Sequence, residues 1–185
     1  MSANPEAMLE GGRLHRKIQR EQKVTYQSEV PLKMEWEEDG YKLVLEGRAD
    51  GIDCRELEEE NLFYIDEIKC VYKDVEAIEE AELLHLAQAK CYAYMYGYRH
   101  DLKKIGVQIT YCHLETEEIK RIFYSYGMEE LSLWFADLLD SYRMWASYYV
   151  KARRERNASI QQLKFPFPFR PGQKKMAAIV YQAIE

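Results

Sequence analysis

Two runs of alternating apolar and polar residues, 29–36 and 41–50, flank the pair Asp39-Gly40. That arrangement constrains the fold more than any other feature, because period-two alternation puts every second side chain on one face of a strand, and Asp-Gly is a favoured tight turn between antiparallel strands. A third apolar run, Leu62 to Cys70, follows the acidic stretch Arg55 to Asn61, which reads as a solvated loop. The three runs predict an antiparallel meander.

The rest of the chain alternates between helical and strand periods. Residues 5–22 read as a helix carrying Leu9, Leu14 and Ile18, weakened by Gly11 and Gly12. Residues 74–98 read as a second helix with Leu83, Leu84, Ala87, Cys91, Tyr94 and Met95 near one broad face, closed by Gly97. Two strands follow at 104–113 and 118–126. A long helix runs from about 129 to 156, with Leu131, Trp134, Phe135, Leu138, Leu139, Tyr142, Trp145 and Tyr149 as a stripe read as core packing. The fold class is α/β (α+β): a mixed, partly antiparallel sheet flanked by helices. At 185 residues the chain is long enough for one domain with a sizeable core.

Composition narrows the function classes. No run approaches the ~18 apolar residues of a membrane span, and residues 1–22 lack a signal-peptide apolar stretch, so a cytoplasmic protein without a membrane partner is expected. The net charge of −6 argues against a protein that coats nucleic acid, yet leaves room for an acidic metal site. Lys151 to Arg156 is the one dense basic patch, suited to a phosphate backbone or to a solvated helix end. Cys54, Cys70, Cys91 and Cys112 form no Cys-x-x-Cys and read as reduced thiols.

Chemistry concentrates in Gly47-Arg48-Ala49-Asp50 and Glu67-Ile68-Lys69. Unpaired charge in an apolar strand costs roughly several kcal/mol, so such residues require a partner, a metal or a function. Glu67 and Lys69, two apart, share a face, and Asp50 at the end of the neighbouring strand can reach them. Two carboxylates and the Ile68 carbonyl are hard oxygen ligands suited to Mg²⁺ or Mn²⁺, with Lys69 beside them to orient water or meet developing charge. Spacing alone is equally compatible with a solvated surface pair.

Further motifs occur in order around these. Glu10-Gly11-Gly12-Arg13-Leu14-His15 precedes the Gly-x-x-Asp, and Gln88-Ala89-Lys90-Cys91-Tyr92 follows the Glu-x-Lys. The ordered set, over roughly residues 9–98, resembles the RecB-type branch of the PD-(D/E)XK nuclease superfamily. The resemblance implies a restriction-endonuclease-like core in which His15, Asp50, Glu67 and the Ile68 carbonyl bind Mg²⁺ or Mn²⁺. It makes Asp50, Glu67 and Lys69 catalytic, and Gln88 and Tyr92, one helical turn apart, contacts to the site or to DNA. His85, His100 and His113 match no motif. One subgroup of the branch carries an iron–sulfur cluster on one Cys before the His motif and three after the Gln-Tyr helix. Here no Cys precedes His15 and only Cys112 follows Tyr92, so that cluster is not expected.

The stretch 165–173 (Phe-Pro-Phe-Pro-Phe-Arg-Pro-Gly-Gln) breaks the helical pattern, and a new amphipathic run begins at Gln173. It resembles the opening of a DinG- or XPD-like superfamily 2 helicase domain, although no phosphate-binding Gly-x-x-x-x-Gly-Lys-[Ser/Thr] is present. The resemblances together divide the chain into a nuclease domain, 1–160, and a linker with the opening of a helicase domain, 161–185. They imply a DNA nuclease acting on single strands, an exonuclease coupled to a helicase in DNA repair or recombination. A catalytically silent DNA-binding or docking module of a helicase, or a structural adaptor with solvated charges, is the alternative.

Overall fold

The computed structural model describes residues 5–57, 60–163 and 167–184. Contacts divide the chain into two units, Met1–Ser141 and Tyr142–Glu185, with the boundary inside a long helix. The first unit holds α1 (Pro5–Arg20), β1 (Tyr26–Glu38), β2 (Tyr41–Leu57), β3 (Glu60–Val71), α2 (Leu83–Arg99), β4 (Lys104–His113), β5 (Ile119–Gly127) and the start of α3 (Met128–Gln161). The second holds the remainder of α3 and α4 (Gln173–Ile184), whose start agrees with the amphipathic run read from sequence.

The strands form one mixed sheet in the order β1-β2-β3-β4-β5. The expected meander is present: β1 pairs antiparallel with β2 and β2 with β3. The hairpin turn falls on Asp39-Gly40, with Gly40 at φ 80, a conformation glycine adopts without steric cost. β3 and β4 are parallel, joined through α2, and β5 returns antiparallel to β4. The chain is thus an α+β protein with a five-stranded mixed sheet flanked by helices.

Each face of the sheet has its own core. Odd-numbered residues of β4 (Ile105, Val107, Ile109, Tyr111), with Ile65 of β3, pack against Ala89, Ala93 and Tyr96 of α2. Even-numbered residues turn the other way, where Ile68 and Cys112 meet Leu14 and Ile18 of α1. Period-two alternation therefore sets β3 and β4 between two helices.

Several expected boundaries move. The loop assigned to residues 55–61 shrinks, because β2 runs to Leu57 and β3 begins at Glu60; residues 58 and 59 lie outside the described residues. Residues 74–82 are not helical. Val75, Ile78 and Ala81 are buried as turn anchors, and the amides of Ala81 and Glu82 donate to the Tyr124 and Tyr111 hydroxyls. With those donors taken by side chains, α2 starts at Leu83. Its buried face is Ala89, Ala93, Met95, Tyr96 and Gly97, while Leu83 and Leu84 are exposed. Gly97 does not close α2; it lies inside the helix, where a Cβ would strike Met128, and the left-handed step falls on Asp101 at φ 51. Leu9 is exposed on α1, unlike Leu14 and Ile18.

The α3 stripe is core only at its beginning. Leu131 and Phe135 are buried, the latter stacked on Tyr94 with ring centroids 4.2 Å apart. Leu138, Tyr142, Trp145 and Tyr149 stand 45–55% exposed. In the second unit, Trp145 stacks on Tyr149 at 5.3 Å, so the aromatic spacing is satisfied along the helix itself. Lys151, Arg153, Arg154 and Arg156 are exposed.

Candidate metal centre

The site lies where the sheet forks. The β2–β3 ladder ends at Gly51↔Asp66, and beyond it β3 pairs only with β4. At the fork the Asp50 carboxylate takes the place of a ladder acceptor: the Ile68 amide donates to its Oδ2 at 2.7 Å. Strict alternation breaks at the same point. Ala49 and Ile52, three residues apart, both enter the α2-side core, which leaves Asp50 and Gly51 between them turned toward the side of α1. A strand that breaks its period beside a charged residue is spending local regularity on the placement of that residue.

From α1, His15 reaches into the fork. Its Nε2 lies 3.1 Å from Asp50 Oδ2 and 3.2 Å from the Ile68 carbonyl oxygen. The hydrogen bond to Asp50 raises the His15 pKa above its ordinary value against the opposing effect of burial. Three of the residues read from sequence as metal ligands, His15, Asp50 and the Ile68 carbonyl, are thus brought together.

Glu67 and Lys69 form the adjoining half of the site, on the α2 side. Lys69 Nζ lies 2.7 Å from Glu67 Oε1 and donates to Gln88 Oε1 at 3.1 Å. Gln88 in turn donates to the Tyr92 hydroxyl at 3.4 Å, so the four residues form one line from strand to helix. Tyr92 fits because Gly47 faces it: a Cβ there would fall 2.7 Å from the ring. Among the described residues the other carboxylate oxygen of Glu67, Oε2, is buried without a hydrogen-bond partner. Burial first, and the Asp50 charge second, push the Glu67 carboxyl up to about 7. The Lys69 ammonium offsets part of that rise.

Sequence reasoning passed over Glu29, Gln19 and the side chain of Arg48. Ligand atoms of His15, Glu29 and Asp50 lie within 4.8 Å of one another, a group that does not include Glu67. Gln19 Nε2 donates to Glu29 Oε1 at 2.9 Å and to the Asp50 carbonyl at 2.8 Å, and Arg48 Nε lies 2.7 Å from Glu29 Oε2. His15, Glu29, Arg48 and Asp50 line an open cleft of about 960 Å³ that also borders Arg16 and Tyr72.

The histidines without a motif have structural partners. His85 Nδ1 meets the Tyr111 hydroxyl at 3.0 Å, and His113 Nε2 lies 2.9 Å from the Tyr72 carbonyl. His100 packs tilted against Tyr96, ring centroids 4.2 Å apart. Among the described residues no helix is long and apolar enough to cross a membrane.

No protein-family model and no curated protein matches the chain. Among solved structures it is similar to SSO0001, known from its crystal structure, with 19% identity and a TM-score of 0.46. The match covers 89% of this chain and 64% of that one, so the chain spans under two thirds of that protein's length.

Proposed function

We propose that the chain is a metal-dependent DNA nuclease domain that hydrolyses phosphodiester bonds with Mg²⁺ or Mn²⁺. The observation that carries this reading is the buried, unpartnered Glu67 Oε2 beside Asp50 and His15. A carboxylate oxygen shielded from water and lacking a donor is unstable unless a proton or a cation satisfies it. The donor set suits the second: carboxylates of Asp50 and Glu67, the Ile68 carbonyl and one imidazole are hard or borderline ligands of the kind Mg²⁺ and Mn²⁺ accept. His15, Asp50, Glu67 and Ile68 would hold the ion. When bound, it supplies Lewis-acid polarisation of a phosphodiester oxygen and lowers the pKa of coordinated water.

The protein's own residues do the remainder. Lys69, fixed by Glu67 and Gln88, keeps an ammonium group at the fork, where it can donate to a water or to an oxygen gaining charge. Gln88 sets the Lys69 position, and Tyr92 sets Gln88 from the next turn of α2. Arg16, Arg48 and Tyr72 along the cleft offer cationic and aromatic contacts for single-stranded DNA. The coupling of this activity to a helicase domain beginning near residue 161, and so to repair or recombination, rests on the 165–173 resemblance, of which residues 165 and 166 lie outside the described residues.

Cleavage of end-labelled single- and double-stranded DNA with Mn²⁺ or Mg²⁺ tests the proposal, wild type against Lys69→Ala. Metal-dependent cleavage that Lys69→Ala abolishes supports it. A well-folded wild type that cuts neither substrate, alone or fused to its helicase, would leave a silent DNA-binding module as the reading.

A further inference from the structure

Glu29 occupies an unusual place. The pairs Ser28↔Gly51 and Val30↔Ala49 bracket it, so in register it stands directly opposite Asp50. Two carboxylates facing each other across an antiparallel pair repel and destabilise the sheet. The backbone holds them there nonetheless: Glu29 adopts φ 56, a left-handed conformation in the middle of β1. That conformation kinks β1 opposite the break in β2, and its carboxylate reaches the cleft that His15 and Asp50 line.

Each carboxylate is held by its own counter-groups. Arg48 and Gln19 hold the Glu29 carboxylate, and His15 and the Ile68 amide hold that of Asp50. Among the described residues the hydrogen-bonding partners of Glu29 are side chains able to swing away: Arg48 is two-thirds exposed, and Gln19 is long and flexible. The three ligand atoms of His15, Glu29 and Asp50 fall within 4.8 Å, close to the ~4.2 Å that opposite ligands of a small divalent ion span. At the same fork the Glu67 carboxylate, whose Oε2 is buried without a hydrogen-bond partner among the described residues, feels the charges of both Asp50 and His15.

We propose that Glu29 is a further ligand of the divalent-cation centre, held by Arg48 until the ion arrives and exchanged onto it. The inference rests on the metal-dependent reading above and adds to it a ligand from β1. It predicts a metal-free state in which Arg48 competes with the cation for one carboxylate.

Mn²⁺ binding, followed by the electron paramagnetic resonance of free Mn²⁺ and by calorimetry, tests it in wild type, Glu29→Gln, Glu29→Asp and Arg48→Met. Loss of an outer partner of a metal ligand typically weakens affinity about 10- to 100-fold, so loss of a direct ligand in Glu29→Gln is expected to weaken Mn²⁺ at least that far. Glu29→Asp keeps the charge but withdraws the carboxylate by one methylene, and should weaken Mn²⁺ as well. Arg48→Met removes the competitor and should bind Mn²⁺ as tightly as wild type or tighter. Wild-type affinity in Glu29→Asp would overturn the proposal, because Glu29 would then act through its field alone. Wild-type affinity in Glu29→Gln would overturn it too, leaving the centre of His15, Asp50, Glu67 and Ile68 intact. A wild type that binds no Mn²⁺ at millimolar concentration would overturn both this inference and the metal-dependent reading beneath it.

Discussion

Glu67→Gln should stabilise the metal-free protein at pH 8 and do almost nothing at pH 4.5. Glu67 is 1% exposed, its Oε2 has no partner, and its carboxyl titrates at about 7 in place of 4.5. The folded chain therefore keeps a proton that the unfolded chain releases. Below pH 4.5 both states are protonated and no penalty exists. Between 4.5 and 7 the folded state binds more protons than the unfolded, so stability falls as pH rises, and above 7 the loss is complete. A tenfold change in proton affinity is worth about 1.4 kcal/mol, so the full loss is on the order of 3 kcal/mol. Glutamine removes it, and because the Glu67 carboxyl is raised to about 7 even with Lys69 beside it, the loss of that ion pair is already inside the figure. The net expectation is a gain on the order of 3 kcal/mol at pH 8, roughly 6–12 °C in Tm for a chain of this size. Thermal and urea denaturation in EDTA at pH 4.5 and pH 8 read it directly. Saturating Mn²⁺ should close much of the gap, since wild type gains about 2.7 kcal/mol at a hundred times Kd and the variant gains less. A Glu67→Gln protein less stable than wild type at pH 8 in EDTA would refute the reasoning, because Glu67 would then be well satisfied without a cation.

The other expectations concern the framework that holds the fork. Thr110→Val removes the hydroxyl that donates to Asp66 Oδ1 at 2.6 Å and accepts from Gln108 at 2.9 Å, both fully buried. Asp66 keeps the Tyr26 hydroxyl, so losing these two bonds should cost about 1–3 kcal/mol in urea denaturation, and a loss under ~0.5 kcal/mol would refute the network's importance. Gly106→Ala would set a Cβ 2.2 Å from the ring of Tyr64, its partner across β3 and β4. Displacing that ring should destabilise by about 1–3 kcal/mol and disturb the Arg55 guanidinium that lies 4.5 Å over it. Unchanged stability by calorimetry would show that Tyr64 has free space to move.

The β1-β2-β3 meander and the succession of helices and strands were legible because they rest on period. The alternation of 104–113 and the Asp-Gly turn each constrain a strand locally, and β1, β2, β4 and β5 appear within a few residues of their expected places apart from the extra length of β2. What was not legible depended on partners far away in sequence. Residues 74–82 carry helix-compatible spacing, but the hydroxyls of Tyr111 and Tyr124, some 30–40 residues on, capture the amides a first helical turn would leave unsatisfied. The α3 stripe shows the same limit from the other side. Spacings of three and four establish that a helix has an apolar face; they do not establish that anything covers it, and past Leu138 that face is largely exposed.

Glu29 is the instructive omission, because its position could have been worked out. A two-residue turn at Asp39-Gly40 pairs Glu38 with Tyr41, and every later pair follows by counting outward: Trp36 with Leu43, Leu32 with Gly47, Val30 with Ala49. The same count sets Glu29 against Asp50. An acid opposite the motif aspartate was therefore implied by the turn, but alternation hid it, since β1 and β2 break their period at that place through φ 56 at Glu29 and the turned-out pair Asp50-Gly51. A strand reading that assumes uninterrupted alternation assigns Glu29 to solvent and stops. The break is where regularity yields to the site, so in a chain of this kind the residue facing a motif acid across a hairpin should be located by counting from the turn, before its face is judged from its neighbours.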